Sequence, residues 1–472
     1  MAGIRIPLND YGVLGDPPDP GAWTPTLTVS VIVSTRGRER TLPLTLAGLA
    51  SQSYPRHLME VIVVDAGDGP PISLSGRVPE RIRVVRPEPG TPWTPGACDG
   101  DVVHLLDADL LVPPEHIEAH MRWHHLADHL VVLSRPLHVP GAHGGSLDAE
   151  ALAAVEAGSV EGFAGRSGAL ERRQEWDGAS DLREAGAKAF TAMGGAPASV
   201  PATLLRASGG IQPAQEYLEL GYRLAQAGAV FVAERSARSV RVGGPVAGPD
   251  RSYLAERVPS MRRLRRRPGR TYLVPYVEAV VPAEGAAVQD VRATVDGLLA
   301  SDLPDVVVIV AGLPRGGARM IRDAYAGETR VSFAGHVPDP ELPVPFRFHC
   351  PPGWVPSRKT LESILAFAER RGLGVLSLAL DEQEGVVSAR LERTAAVNRA
   401  RRLALPGDDL DDLVHETFAT LWEAGETWGI VRREAPAPAP PQETGHDGRK
   451  REPARPIRTS LRRVLIPLLT RT

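Results

Sequence analysis

The sequence predicts an α/β protein with a mostly parallel central sheet, followed by a second α/β domain of the same type. Three observations lead there. Buried-strand patterns alternate with a helical one in the order strand, helix, strand; the strands end in acids; and the second half of the chain repeats the first in weakened form. Strand–helix–strand order favours parallel pairing, with ligands at the carboxyl ends of the strands.

After a Pro/Gly-rich lead-in (1–26), Leu27 to Ser34 is rich in β-branched residues and reads as a buried strand. A polar loop, Thr35 to Thr41, precedes a stretch from Leu42 to Ser51 with apolar residues at helical spacing. Met59 to Asp65 is a second strand ending in an acid, Arg81 to Val85 a third, and Asp101 to Leu106 a fourth. The fourth runs into Asp107-Ala-Asp109. Residues two apart on an extended chain face the same way. Two acids so placed repel unless a cation lies between them. A divalent metal carrying a diphosphate would supply it, and hard oxygen ligands suit Mg or Mn.

The bulk composition narrows the class. With 43% hydrophobic and 24% charged residues, the 472-residue chain has the profile of a globular protein large enough for two domains. A net charge of -3 gives no reason to expect nucleic acid. Cys98 and Cys350 lie far apart without a CxxC, so neither a cysteine zinc cluster nor a disulfide framework is expected. The N-terminus lacks an apolar leader core and no stretch is long enough to span a bilayer, so the expected location is cytoplasmic.

Three segments now carry a resemblance: Val29-Ser-Val-Ile-Val-Ser-Thr-Arg-Gly-Arg38, Val61-Ile-Val-Val-Asp-Ala-Gly67 and Gly100-Asp-Val-Val-His-Leu-Leu-Asp-Ala-Asp109. A fourth is the turn Ala207-Ser-Gly-Gly-Ile211 followed by Glu216-Tyr-Leu-Glu-Leu-Gly-Tyr-Arg-Leu224. Together they resemble the family 2 glycosyltransferases of the Rossmann-like nucleotide-diphospho-sugar transferase (GT-A) fold. The resemblance implies an inverting sugar transfer from a nucleotide-diphosphate donor. It implies that Ser34, Thr35, Arg36 and Asp65 bind the nucleoside part of the donor, and that Asp107 and Asp109 hold Mg or Mn on its diphosphate. The family's usual base is the Asp of a Glu-Asp pair, a position held here by Tyr217, so Glu216 is the expected base and Glu219 the reserve. The family's late metal-binding His is also missing, with Ser239-Val-Arg241 in its neighbourhood.

Other features receive plainer readings. His116, His120 and His124 recur every four residues, a spacing that can bind zinc but that without a flanking His-Glu-x-x-His predicts a solvated helix face. Trp176 and Asp177 fall where the family places acceptor-contacting loops. The arginines from Arg262 to Arg270 predict either a solvated hinge or a patch for lipid phosphates or an anionic polymer.

The second half echoes the first. Val277 to Ala283 matches Val29 to Thr35, and Val306 to Gly312 matches the second strand with Val310 at the place of Asp65. Phe348 to Pro356 falls where Leu105 to Pro113 belongs, with Cys350 and Pro352 at the two metal acids. A repeat of this length implies two domains of one fold, the second without the acids. The expected division is 27–258 for the glycosyltransferase domain, 259–272 for a basic linker and 273–433 for the degenerate copy. Residues 434–456 then read as a Pro-rich disordered linker and 457–472 as a basic amphipathic segment suited to peripheral membrane contact.

These readings predict a glycosyltransferase with a nucleotide-diphospho-sugar donor and a glycan or lipid-linked acceptor, in cell-envelope or polysaccharide synthesis. The alternative is a catalytically weakened relative that binds a glycan or scaffolds a complex. A nucleotidyltransferase is a third reading, for which Thr35-Arg-Gly-Arg-Glu-Arg40 is a poor signature.

Overall fold

The structure, a computed structural model, describes residues 3–433 apart from 36, 66–68, 89–97, 140–144, 172–179, 196, 212–216, 243–249, 265–271, 315, 340–342 and 382–385. Met1 to Arg433 form one compact unit. The expected linker 434–456 and amphipathic segment 457–472 lie outside the described residues, as do Trp176 and Asp177.

The first sheet contains β1 (Val29–Ser34), β2 (Met59–Val64), β3 (Ile82–Val85), β4 (Val102–Asp107), β5 (Leu110–Leu111), β6 (Leu130–His138), β7 (Leu170–Glu171), β8 (Ala198–Pro201) and β9 (Val230–Arg241). Their order is β3-β2-β1-β4-β8-β6-β9-β5, with β7 beside β6. Every pairing from β3 to β4 is parallel, and antiparallel pairing begins at β8. Val31 and Val33 on β1 pack on one side of the sheet with the helix Leu42–Leu49, while Ile32 packs on the other. A strand buried on both faces needs this nearly unbroken apolar run, which is why the sequence showed it.

The second sheet repeats the plan. It contains β10 (Val277–Pro282), β11 (Val306–Ala311), β12 (Val331–Ala334), β13 (Phe346–His349), β15 (Val375–Asp381), β16 (Val387–Arg393) and β17 (Thr420–Ala424); β14 (Trp354–Pro356) and β18 (Ile430–Arg432) form a separate pair. Its order, β12-β11-β10-β13-β16-β15-β17, is that of β3 to β9 strand for strand, and each neighbouring pair has the same sense in both sheets. The predicted second α/β domain is therefore present.

Its register corrects three counterparts. Pro282 pairs with Ala311 as Ser34 pairs with Val64, so Gly312, not Val310, stands at the place of Asp65. Val277 pairs with Phe346 as Val29 pairs with Val102, which puts Pro351 and Gly353 at the places of Asp107 and Asp109, rather than Cys350 and Pro352. The shift arises because an apolar run such as Val306 to Val310 matches another almost as well after a slip of one or two residues, whereas register counts residues from the paired strand ends. None of the three positions carries a carboxylate under either alignment.

Two other expectations change. His116, His120 and His124 are buried, not solvated. The helix His116–His124 lies across the adjacent strands β4, β8, β6 and β9, and its histidines face that sheet, at His104 and Ser199. Arg262 is likewise no solvated hinge residue: it is ion-paired with Asp305 and stacks 4.3 Å from the ring of Tyr272, and burial pushes its pKa down to about 10. Among the other arginines of that run, only Arg263 lies within the described residues.

The lead-in is built into the core through Ile6, Tyr11 and the Asn9 amide, which donates to the carbonyls of Leu182 and Phe231. Arg399, from the helix Thr394–Leu403, clasps it to both sheets. Its guanidinium donates to the carbonyls of Gly228 (2.9 Å), Ala229 (2.7 Å) and Ile6 (3.3 Å) as well as Leu8. Burial lowers its pKa to about 9, which leaves it charged at neutral pH. Replacing Arg399 by Leu strands these carbonyls without a donor. Chemical denaturation should show a loss of about 3 kcal/mol; a change within about 0.5 kcal/mol, typical of an inconsequential site, would contradict the clasp.

Candidate active site

The carboxyl ends of β1, β2 and β4 lie side by side, so the loops that leave them share one rim of the sheet. Thr35, just past β1, is buried and its hydroxyl donates to the Val64 carbonyl at 3.1 Å, while Ser34 is half-buried. Arg36 lies outside the described residues. Asp65, just past β2, is buried and accepts from Arg86 Nε (3.0 Å) and Nη2 (2.5 Å). It lines a cavity of about 570 Å³ together with Gly37, Glu39, Leu42, Ile72 and Leu74. That volume falls in the range of small-molecule and cofactor sites.

The two acids after β4 meet a cation, and it is a guanidinium. Arg241 Nη1 contacts Asp109 Oδ1 at 2.5 Å and its Nη2 contacts Asp107 Oδ2 at 2.9 Å, with the Gly195 carbonyl at 3.3 Å. Arg38 Nη1 lies 3.1 Å from both carboxylates. Strand pairing puts Arg241 there: as the last residue of β9 it stands opposite Leu110 of β5, the residue after Asp109. Its side chain is 1% exposed and that of Asp109 is 0%, whereas Asp107 keeps 14% and Arg38 22%. Burial raises the Asp109 pKa, against the pull of Arg241 and Arg38. Burial lowers that of Arg241, but the two carboxylates outweigh it and the net direction is upward.

The residues as folded therefore do not fit an additional divalent ion. Two guanidiniums already cancel the two carboxylates, and a further doubly charged ion at the same oxygens would face like charge at contact distance. Arg38 and Arg241 were missed as functional residues in the sequence. The available signal was the stretch Ser239-Val-Arg241 in the neighbourhood of the late His that the resemblance leads one to expect.

The expected bases fare differently. Glu216 lies outside the described residues. Glu219 is buried and salt-bridged to Arg223 at 2.9 Å, and Arg223 in turn donates to the carbonyls of Ser208 and Gly210. Glu219 thus anchors the Gly-Gly turn through Arg223. Tyr217, at the family's usual base position, has its hydroxyl 3.4 Å from Asp107 Oδ1.

The buried histidines form a second cluster. His104 Nε2 and His116 Nε2 are 3.2 Å apart, and one ring nitrogen from each of His104, His116 and His120 lies within 4.8 Å of the others. Burial holds all three well below the ordinary pKa, hence neutral. Three neutral imidazole ligands so placed suit a transition metal. The cluster is a buried, neutral part of the core between β4 and the helix His116–His124.

Comparison with known proteins adds little. No protein-family model matches the sequence, and no curated protein does. Among solved structures, a mannosyltransferase from Pyrobaculum calidifontis in complex with GDP-Man and Mn2+ is similar at 18% identity and a TM-score of 0.31 over 50% of this chain. TarS from S. aureus in complex with UDP-GlcNAc is similar at 16% identity and a TM-score of 0.34, also over 50% of this chain. The matches span 64% and 66% of those chains, just under two thirds of each.

The ion cluster makes a prediction of its own. Replacing Arg241 by Met leaves Asp109 buried without its closest counter-charge and should cost about 3 kcal/mol at neutral pH. A buried carboxyl with a raised pKa loses stability as pH climbs from the usual value of about 3.9 through its folded value. The deficit against wild type should accordingly shrink as pH falls toward about 4. Denaturation at several pH values reads this; a deficit that does not change with pH would mean that Arg241 acts by packing alone.

Proposed function

We propose that the chain is a glycosyltransferase of the family 2 type, moving a sugar from a nucleotide-diphosphate donor to a hydroxyl acceptor with inversion. One observation carries this reading: a cavity walled by Asp65 and the compensated pair Asp107/Asp109 share one carboxyl rim of a sheet ordered β3-β2-β1-β4. In open α/β sheets this rim is where nucleotides bind. Residues 27–258 would form the working domain and 273–433 a degenerate copy without the acids.

In this reading the nucleoside enters the cavity beside Asp65, and Ser34, Thr35 and Arg36 are the further donor-binding residues that the resemblance implies. Glu216 removes the acceptor's hydroxyl proton, the acceptor oxygen bonds to the anomeric carbon, and the bond from that carbon to the diphosphate oxygen breaks. Mg or Mn, the cofactors implied by the resemblance, would be held by Asp107 and Asp109 in place of the Arg241 guanidinium and would supply positive charge for the diphosphate. Glycan or lipid-linked acceptors fit the same chemistry. Among the described residues no helix is long and apolar enough to cross a membrane; a cytoplasmic protein that touches the membrane peripherally accords with the arginines and aliphatics of 457–472.

The second reading, a transferase relative that only binds, is favoured by Tyr217 at the usual base position and by Glu219 being taken up by Arg223. A thermal-shift panel of nucleotide sugars, followed by assay for released nucleoside diphosphate, separates the two. The enzyme reading expects one donor to raise Tm by about 2 °C or more, loss of that shift in Asp65→Ala, and release of nucleoside diphosphate. A shift without release would support a relative that binds the donor without turning it over, and no shift with any donor would leave the glycan-binding or scaffold reading ahead.

A further inference from the structure

The expected metal pair has a different cation in the folded chain. Two carboxylates and two guanidiniums sum to the same neutrality that two carboxylates and one divalent ion would give. The arrangement is also built in. Arg241 is enclosed at the end of β9, held by both acids and by the Gly195 carbonyl. Evicting it to admit an ion would leave a buried guanidinium without its partners, which is the costly way to break such a pair.

The two arginines occupy different positions. Arg241 is closed off from solvent, whereas Arg38 is partly open and sits in the loop whose Gly37 and Glu39 line the cavity. A guanidinium offers forked donors that match phosphate oxygens two at a time. Arg38 spends Nη1 on the acids, and its side chain is 22% exposed beside two residues that line the cavity.

We propose, resting on the nucleotide-sugar reading of this site, that Arg38 and Arg241 stand in for the divalent cation. The diphosphate of a nucleotide sugar then binds here, and leaves as nucleoside diphosphate, without metal. Arg241 is a positioning residue: it fixes Asp107 and Asp109, which in turn fix Arg38. Arg38 touches the diphosphate and stabilises the negative charge that gathers on the leaving oxygen as the glycosidic bond breaks. Asp107 and Asp109 hold arginines rather than a metal, which explains why Asp109 can be wholly buried.

Calorimetric titration of the full chain with UDP, GDP and ADP, each in excess EDTA and again in Mn2+, tests this. The expected result is one nucleoside diphosphate whose affinity differs by less than about twofold between the two buffers. Arg38→Ala, at a partly exposed position, should weaken that binding about tenfold or more in EDTA, the loss of a charge-assisted contact. Arg241→Met should weaken it too, and Arg38→Lys should recover only part, since a point charge lacks the fork. Binding by the wild-type chain that requires Mn2+ would overturn the inference and leave the glycosyltransferase reading standing, as would EDTA binding indifferent to Arg38→Ala. Binding of no nucleoside diphosphate in either buffer would remove both.

Discussion

The contact among Asp107, Arg241 and Asp109 is the constraint on which the rim of the first sheet depends. Two carboxylates lie within 3 Å of one guanidinium, and Asp109 and Arg241 are sealed from water, so the group is stable only if each charge is paired. The pairing fixes where β4 ends, how β5 turns onto β9, and where Arg38 can sit. It also decides the electrostatics offered to a ligand. An acid pair without a counter-charge would repel a diphosphate, whereas one closed by two guanidiniums is neutral.

Much of the fold could be read from the sequence because its strands are buried on both faces and so announce themselves as β-branched runs. Val29–Ser34, Met59–Val64 and Val102–Asp107 fall within a residue or two of their expected limits. The duplication was readable for the same reason, and its register was not, since pairing is decided by hydrogen bonds that leave no trace in composition. The burial of the histidines was not legible because the period of a stripe does not say what covers it, and this one faces the sheet at His104 and Ser199. The site divides in the same way. Asp107 and Asp109 stood out as acids at a strand end, whereas their partner Arg241 lies more than 130 residues away and joins them only through the β5–β9 pairing.

The second domain shows what remains of such a rim when its chemistry is absent. Gly312, Pro351 and Gly353 occupy the places of Asp65, Asp107 and Asp109 in an otherwise equivalent strand order. With no acids there is no need for a buried counter-charge at that edge, and its conspicuous arginine, Arg399, is used elsewhere, on carbonyls of the first domain and the lead-in. The two sheets, alike in strand order, thus put a buried guanidinium to different ends: ordering a rim in one, tying the lead-in to the first sheet in the other.

The most direct measurement is a crystal structure of the chain grown with nucleoside diphosphate and Mn2+, with anomalous scattering recorded at the manganese edge. The account predicts the diphosphate against Arg38, the Arg241 guanidinium still between Asp107 and Asp109, and no anomalous peak at those carboxylates. A manganese peak bridging Asp107 and Asp109, with Arg241 swung away, would contradict it.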